Sequence, residues 1–292
     1  MKIEVKKIDP TKRELYIELE GEIVRNKFED VTKRISKEAK VAGFRPGYVP
    51  LDILEKHYGD KIKQEVLEEL IPTIYNQAIE KEKLEVVDLP QIYEVKLDKY
   101  SLSFKAKVEV LPDLSISNYR KIKINYKKVD VSEEEVSGYI KSLAEKRKIQ
   151  KIDDFFARSL GYPDFLSLKE SVKMQLFIQK ETDSQRKVEQ DILDHLLKES
   201  KFNVPQALLE RKLADLVKQA KWELLLKGLS KEEIEAKEKE LTEDLKPQAE
   251  RQAKIQIILT YIAKQQNIPE DENVFLRTME FLLKEADWNI IS

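Results

Sequence analysis

Residues 102–110 read Leu-Ser-Phe-Lys-Ala-Lys-Val-Glu-Val, with Leu102, Phe104, Ala106, Val108 and Val110 alternating without a miss against polar neighbours. Successive side chains of a strand point to opposite faces, so this stretch predicts a strand with one buried and one wetted face. Upstream, Ile3 and Val5, then Leu15, Ile17 and Leu19, repeat the same period, and Asp9-Pro10-Thr11 supplies the turn between them. Between these strands the period changes. Val24, Phe28, Val31, Ile35 and Ala39 step by three or four residues, as do Ile62, Val66, Leu70, Ile74 and Ala78. That is the apolar stripe of amphipathic helices. Pro50 is placed to start a short helix that Gly59 ends, and Pro72 to kink the longer helix that follows. Residues 1–112 are therefore expected to form a small α+β domain, strand-strand, helices, strand-strand.

Downstream the reading turns helical. Residues 113–151 form a connector in which Ile122, Ile124 and Tyr126 alternate with lysines, as a strand or a docked ribbon. Ser132-Glu133-Glu134-Glu135 is a capping box that opens a helix toward Lys148. Residues 152–292 are read as a mainly α-helical domain. In it, Val188, Ile192 and Leu196 mark one helix, and Leu209 to Leu224 mark another, stopped by Gly228. Ser230-Lys231-Glu232-Glu233 is a second capping box, and Leu241 to Tyr261 carry a partner stripe that Pro247 is expected to kink or split. Two long helices joined by a short glycine-containing loop make a long projecting helical hairpin. A last helix is expected over roughly 273–286.

Composition bounds the function. Charged residues are 37% of the 292, with 7 Gly and 10 Pro, which favours long solvated helices over a turn-rich sandwich. The formal charge of −2 gives no global field toward nucleic acid or lipid, so an anionic partner must be met by a local patch. There is no cysteine, which excludes disulfides, thiolate metal sites and thiol nucleophiles. No run approaches a membrane span, and no signal-peptide pattern opens the chain, so a soluble, cytoplasmic protein with no membrane partner is expected. His57 and His195 are the two histidines, and neither stands in a metal-ligand spacing. Acidic pairs such as Glu68-Glu69 read as solvated helix faces, and Asp153-Asp154 as a helix start. No catalytic, metal or cofactor site is expected.

The unusual segment is Gly43-Phe44-Arg45-Pro46-Gly47-Tyr48-Val49-Pro50. Two glycines and two prolines shape the backbone sharply, and the tip carries two aromatics and an arginine. Arginine can grip a carboxylate or phosphate through two parallel bonds, and an exposed Phe can fill an apolar pocket. Between Arg25 and Tyr48 stand seven cations (Arg25, Lys27, Lys33, Arg34, Lys37, Lys40 and Arg45) against Glu29, Asp30 and Glu38. The alternative is a rigid helix–helix loop with Phe44 tucked inside.

GFRPGYVP resembles the ribosome-docking signature of the trigger factor family of ribosome-associated chaperones. QEVLEELIPTIYNQAIEKEKLEVV (64–87) and IDDFFARSLGYPDFLSLKESVKMQL (152–176) are also similar to that family, in its order, so the likeness covers most of 1–270. The resemblance implies an ATP-independent chaperone that docks at the ribosome and shields nascent or unfolded polypeptides. Phe44 and Arg45 would contact the ribosome, through protein and rRNA near the exit tunnel, with Gly43, Pro46, Gly47, Tyr48 and Pro50 completing the loop. Pro46 departs from the basic residue the family often has there.

The family's central peptidyl-prolyl isomerase module has no room between Lys141 and Asp154, so no isomerase activity is expected. The second helical arm of the family also reads as shortened or missing. Client contacts are expected at Met174, Phe177, Ile178, Trp222, Leu225 and Leu226, where apolar side chains at helical spacing also fit a simple core. Self-association fits such exposed apolar surface. A ribosome-independent holdase or assembly scaffold with the same fold is the competing reading.

Overall fold

A computed structural model describes residues 1–45, 47–116, 118–149 and 151–291. The chain forms two compact units: residues 1–114 with 202–254, and residues 115–201 with 255–292.

The first unit is built on a four-stranded antiparallel sheet in the order β1-β2-β4-β3, from β1 (Lys2–Lys7), β2 (Lys12–Glu20), β3 (Gln91–Asp98) and β4 (Ser101–Glu109). Its register sets Leu15 opposite Ala106, Ile17 opposite Phe104 and Leu19 opposite Leu102. Every alternate residue of β2 and β4 therefore faces one side. These side chains are buried together with Val24, Val31 and Ile35 of α1 (Glu22–Glu38) and Leu54, Ile62, Val66, Leu70 and Ile74 of α2 (Leu51–Glu82). The alternation read at 102–110 is thus the floor of one α+β core.

One expectation fails here. Gly59 does not end a short helix: α2 runs unbroken for 32 residues through both Gly59 and Pro72. A glycine inside a helix costs only about 1 kcal/mol relative to alanine. The buried stripe Leu54, Ile62, Val66 and Leu70 continues across it, so packing outweighs that local preference.

The same unit holds α6 (Gln206–Leu226), α7 (Lys231–Ala236) and α8 (Glu238–Gln265) up to residue 254. Pro205, at the N-cap of α6, offers no side-chain cap. A carboxylate from the sheet does the job instead: Ala207 N–H donates to Glu109 Oε2 at 2.8 Å. Arg211 lies 3.9 Å from Asp88 and donates to the Val87 carbonyl at 3.5 Å. The Ser230 capping box is formed, with Glu233 N–H donating to Ser230 Oγ and Ser230 N–H to Glu233 Oε2. Of the kink or split expected at Pro247, the split does not occur: α8 continues through Pro247, and the interruption lies at Lys237, between α7 and α8. Ala249 and Ala253, just beyond Pro247, are fully buried, and that packing carries the helix past the missing N–H.

The second unit contains α3 (Glu133–Lys146), α4 (Asp154–Ser159), α5 (Phe165–Glu199) and α9 (Val274–Glu285). The Ser132 capping box is present as read. Phe156, Leu168 and Val172 bury against Val131, Val136 and Ile140. Asp153 caps α4, accepting from the N–H groups of Phe155 and Phe156, while Asp154 accepts from Phe165 N–H at 2.9 Å. The connector segment containing Ile122 and Ile124 forms β5 (Lys123–Lys127). It pairs in parallel with β6 (Asp287–Ile291), a strand the sequence reading did not find.

Candidate functional site

The loop between α1 and α2 is held at its base and open at its tip. At the base, Ala39 is buried and its N–H donates to Ile35 O at 2.8 Å. Lys40 N–H donates to the Tyr58 hydroxyl at 3.1 Å, and that hydroxyl donates back to Lys40 O at 3.3 Å. Tyr58 was not singled out from sequence, although it stands on the Leu54–Ile62 stripe of α2, four residues from each. On the far side Gly47 N–H donates to Ser36 O at 2.9 Å, and Val49 is buried. Pro50 closes the loop as the residue before α2, its carbonyl accepting from Ile53 and Leu54 N–H.

Gly43 and Gly47 have φ of 87° and 88°, in the left-handed region that disfavours a Cβ. Phe44 is 38% exposed, Tyr48 is 77% exposed, and Arg45 is exposed. Phe44 is not part of the buried core of this unit, though most of its surface is covered. Pro46 lies outside the described residues.

The seven cations around this loop divide into two sets. Arg34 bridges Glu65 at 2.9 Å and Glu69 at 2.6 Å, and Lys27 meets Glu69 at 3.0 Å, tying α1 to α2. Arg25 is paired along its own helix with Glu22 and Glu29. Lys33, Lys37, Lys40 and Arg45 are exposed and make no ion pair among the described residues. The local excess of positive charge is thus concentrated in Lys33 and Lys37 on α1 and Lys40 and Arg45 in the loop that follows it. The local potential there is positive in a chain whose formal net charge is −2.

Glu69 is therefore not the free solvated acid that its Glu68-Glu69 context suggests. The Arg34 guanidinium, and then Lys27, hold its carboxyl below the ordinary value of 4.5. A depressed carboxylate contributes stability that is present above its unfolded pKa and is lost as pH falls through the folded one. We expect the urea midpoint of the parent to exceed that of Glu69→Gln at neutral pH, and the gap to close as pH falls below 4.5. A gap that persists in acid would show that the α1–α2 ion cluster contributes nothing through its charge.

All six client candidates are exposed: Met174, Phe177 and Ile178 on α5 in one unit, and Trp222, Leu225 and Leu226 on α6 in the other. Among the described residues no group of His, Cys, Asp and Glu is arranged to hold a metal ion. Nor is any helix among them long and apolar enough to cross a membrane.

The chain thus joins an α+β domain that carries an aromatic–arginine loop to helices with exposed apolar side chains. Two family models match the chain: residues 1–143 fit that of the bacterial trigger factor protein, and residues 166–288 that of the trigger factor C-terminus. The chain belongs to the trigger factor family of chaperones.

Trigger factor of Solibacter usitatus is 23% identical over 89% of this chain and 85% of its own length. That of Halothermothrix orenii is 20% identical over 98% and 91%. That of Natranaerobius thermophilus is 34% identical but over 48% of this chain and 32% of its own length. A solved structure described as "Promiscuous Substrate Recognition in Folding and Assembly Activities of the Trigger Factor Chaperone" aligns over 98% of this chain and 100% of that one, with a TM-score of 0.58 at 13% identity. At that identity the likeness speaks for the fold. The Solibacter alignment runs 358 residues while using 89% of these 292, so roughly a hundred positions fall opposite no residue here, about the size of a small domain.

Proposed function

We propose that this chaperone works without ATP in the cytoplasm, docks on the ribosome through Gly43–Pro50, and shields nascent or unfolded polypeptides. The observation that carries the reading is the Phe44–Arg45 tip, with Lys33, Lys37 and Lys40 leading to it and no ion pair on any of these cations among the described residues, in a chain of the trigger factor family. Phe44 supplies an apolar anchor. Arg45 supplies a bidentate donor for a carboxylate or phosphate. Lys33, Lys37 and Lys40 favour approach to the ribosomal surface of protein and rRNA. Residues 1–112 form the docking part in this reading, 113–151 the connection and 152–292 the client-holding part.

Clients meet Met174, Phe177, Ile178, Trp222, Leu225 and Leu226, whose apolar surface stands among charged neighbours. Weak contacts to many sequences gain strength when client and chaperone are tethered to one ribosome. The family models leave only residues 144–165 between them, too few for an isomerase module of about a hundred residues. We infer that the chain does not catalyse prolyl isomerisation.

Dilution of a chemically denatured protein into buffer without ATP tests the client-holding part. Light scattering should fall at near-equimolar chaperone. Alanine at Trp222, Leu225 and Leu226 together should raise the concentration needed by about tenfold, since each buried large apolar side chain is worth about 1.5–3 kcal/mol before losses. Scattering that the parent leaves unchanged would contradict the reading. Clear catalysis in a proline-isomerisation assay would contradict the inference about activity.

A further inference from the structure

A groove of about 630 Å³ runs beside the loop, within the first unit. One wall is α1 from Arg25 to Lys37, roughly 18 Å of helix at 1.5 Å per residue. One end is fixed where Gly21 N–H donates to Tyr100 O at 2.9 Å, the other where Gly47 N–H donates to Ser36 O at 2.9 Å. The volume is that of a ligand cleft rather than a packing defect. Its apolar surface comes from three elements: Phe28 of α1, Leu51 at the start of α2, and Tyr100 in the β3–β4 turn. Leu51 and Tyr100 are each 62% exposed, so their apolar surface in the groove is open to a ligand.

The charges in the groove differ in kind. Arg25 is paired with Glu29 at 3.6 Å and Lys99 with Glu55 at 2.7 Å, and all four line the groove. Lys33 and Lys37 line it too and make no ion pair among the described residues. They stand four residues apart on α1, where like charges repel. Two neutralised pairs and two free lysines beside an apolar floor complement a short segment with an apolar side chain flanked by carboxylates. A nucleic-acid strand fits less well, because the groove offers only two free cations for its regularly spaced phosphates, and Leu51 contributes an aliphatic surface on which a base does not stack.

We propose that this groove binds an acidic, apolar protein segment, its carboxylates on Lys33 and Lys37 and its apolar side chain against Phe28, Leu51 and Tyr100. The groove adjoins the docking loop at Gly47 and shares Lys33 and Lys37 with the approach to the ribosome, but Phe44 and Arg45 do not line it, so a peptide probe tests it apart from ribosome docking.

The probe is a short, capped, fluorescently labelled peptide with one Phe between two Glu, measured by anisotropy against the full chain. The same peptide with Gln for Glu and an oligouridylate serve as comparators. The Glu peptide should bind saturably, and Lys33→Glu with Lys37→Glu should weaken it by about tenfold, as loss and reversal of two exposed ion pairs implies. Leu51→Ser should weaken it independently of salt, while Phe44→Ala with Arg45→Ala should leave it unchanged. Circular dichroism of each variant checks the fold.

Equal binding of the Gln peptide, or no binding, overturns the proposal. So does tighter binding of the oligouridylate with loss in the lysine variant, which would make the groove an RNA surface. Groove amide shifts that follow protein concentration alone would make a second copy the occupant and overturn it as well.

Discussion

Phe104→Ala is expected to destabilise the sheet-containing unit by about 3–5 kcal/mol, the cost of emptying a large buried aromatic site. Phe104 is 1% exposed and sits on β4, which is paired on both sides, opposite Ile17 of β2. The neighbouring strands are held by their own ladders and cannot collapse into the space. The loss is comparable to a large share of the 5–15 kcal/mol typical of a domain. Urea unfolding read by hydrogen exchange in peptides from β2 and β4 measures it. Phe44→Ala is the control. Its ring is partly in solvent at the loop tip, and its removal should change stability by about 0.5 kcal/mol or less. If the two substitutions cost the same, the core assignment of β4 is wrong.

The second large effect separates two adjacent residues. Phe155 is 81% exposed and Phe156 is 0% exposed, although sequence places them side by side at the start of one short helix. Phe156 lies in the core formed by Val136, Ile140, Leu168 and Val172. Phe156→Ala should cost about 3–5 kcal/mol, and Phe155→Ala about 0.5 kcal/mol or less. The same exchange and urea measurement, read in α3 and the first turns of α5, reports both. A reversed order would mean that α4 is rotated from the position described.

Local periodicity carried much of the fold. The alternation at 102–110, the stripes of α1 and α2, and the capping boxes at Ser132 and Ser230 are each written in a few consecutive residues, and each is present. What escaped depends on partners far along the chain. β6 is Asp-Trp-Asn-Ile-Ile, too short to show a period, and exists as a strand because β5 lies beside it, more than a hundred residues earlier in sequence. Gly59 and Pro247 carry real local costs, yet buried neighbours hold both helices together. The α6 cap is invisible locally because it is Glu109, 98 residues away.

The candidate site shows the same division. The odd chemistry of Gly43–Pro50 and the surplus of cations are plain in sequence. Which cations are free is not, since Glu65 and Glu69 of α2 neutralise Arg34 and Lys27 only once α1 and α2 pack. Nor does periodicity distinguish the exposed Met174, Phe177 and Ile178 from buried positions of the same helix, such as Leu168 and Val172.

The docking claim is tested most directly by co-sedimentation with purified bacterial ribosomes, comparing the parent with Phe44→Ala, Arg45→Ala. Both side chains stand out from a loop whose base they do not hold, so the double variant keeps its fold. The account predicts that the parent pellets with ribosomes, more strongly at low salt, and that the variant stays in the supernatant. A parent that fails to bind even at low salt, or a variant that binds equally well, would contradict it, leaving a chaperone of this fold that works free of the ribosome.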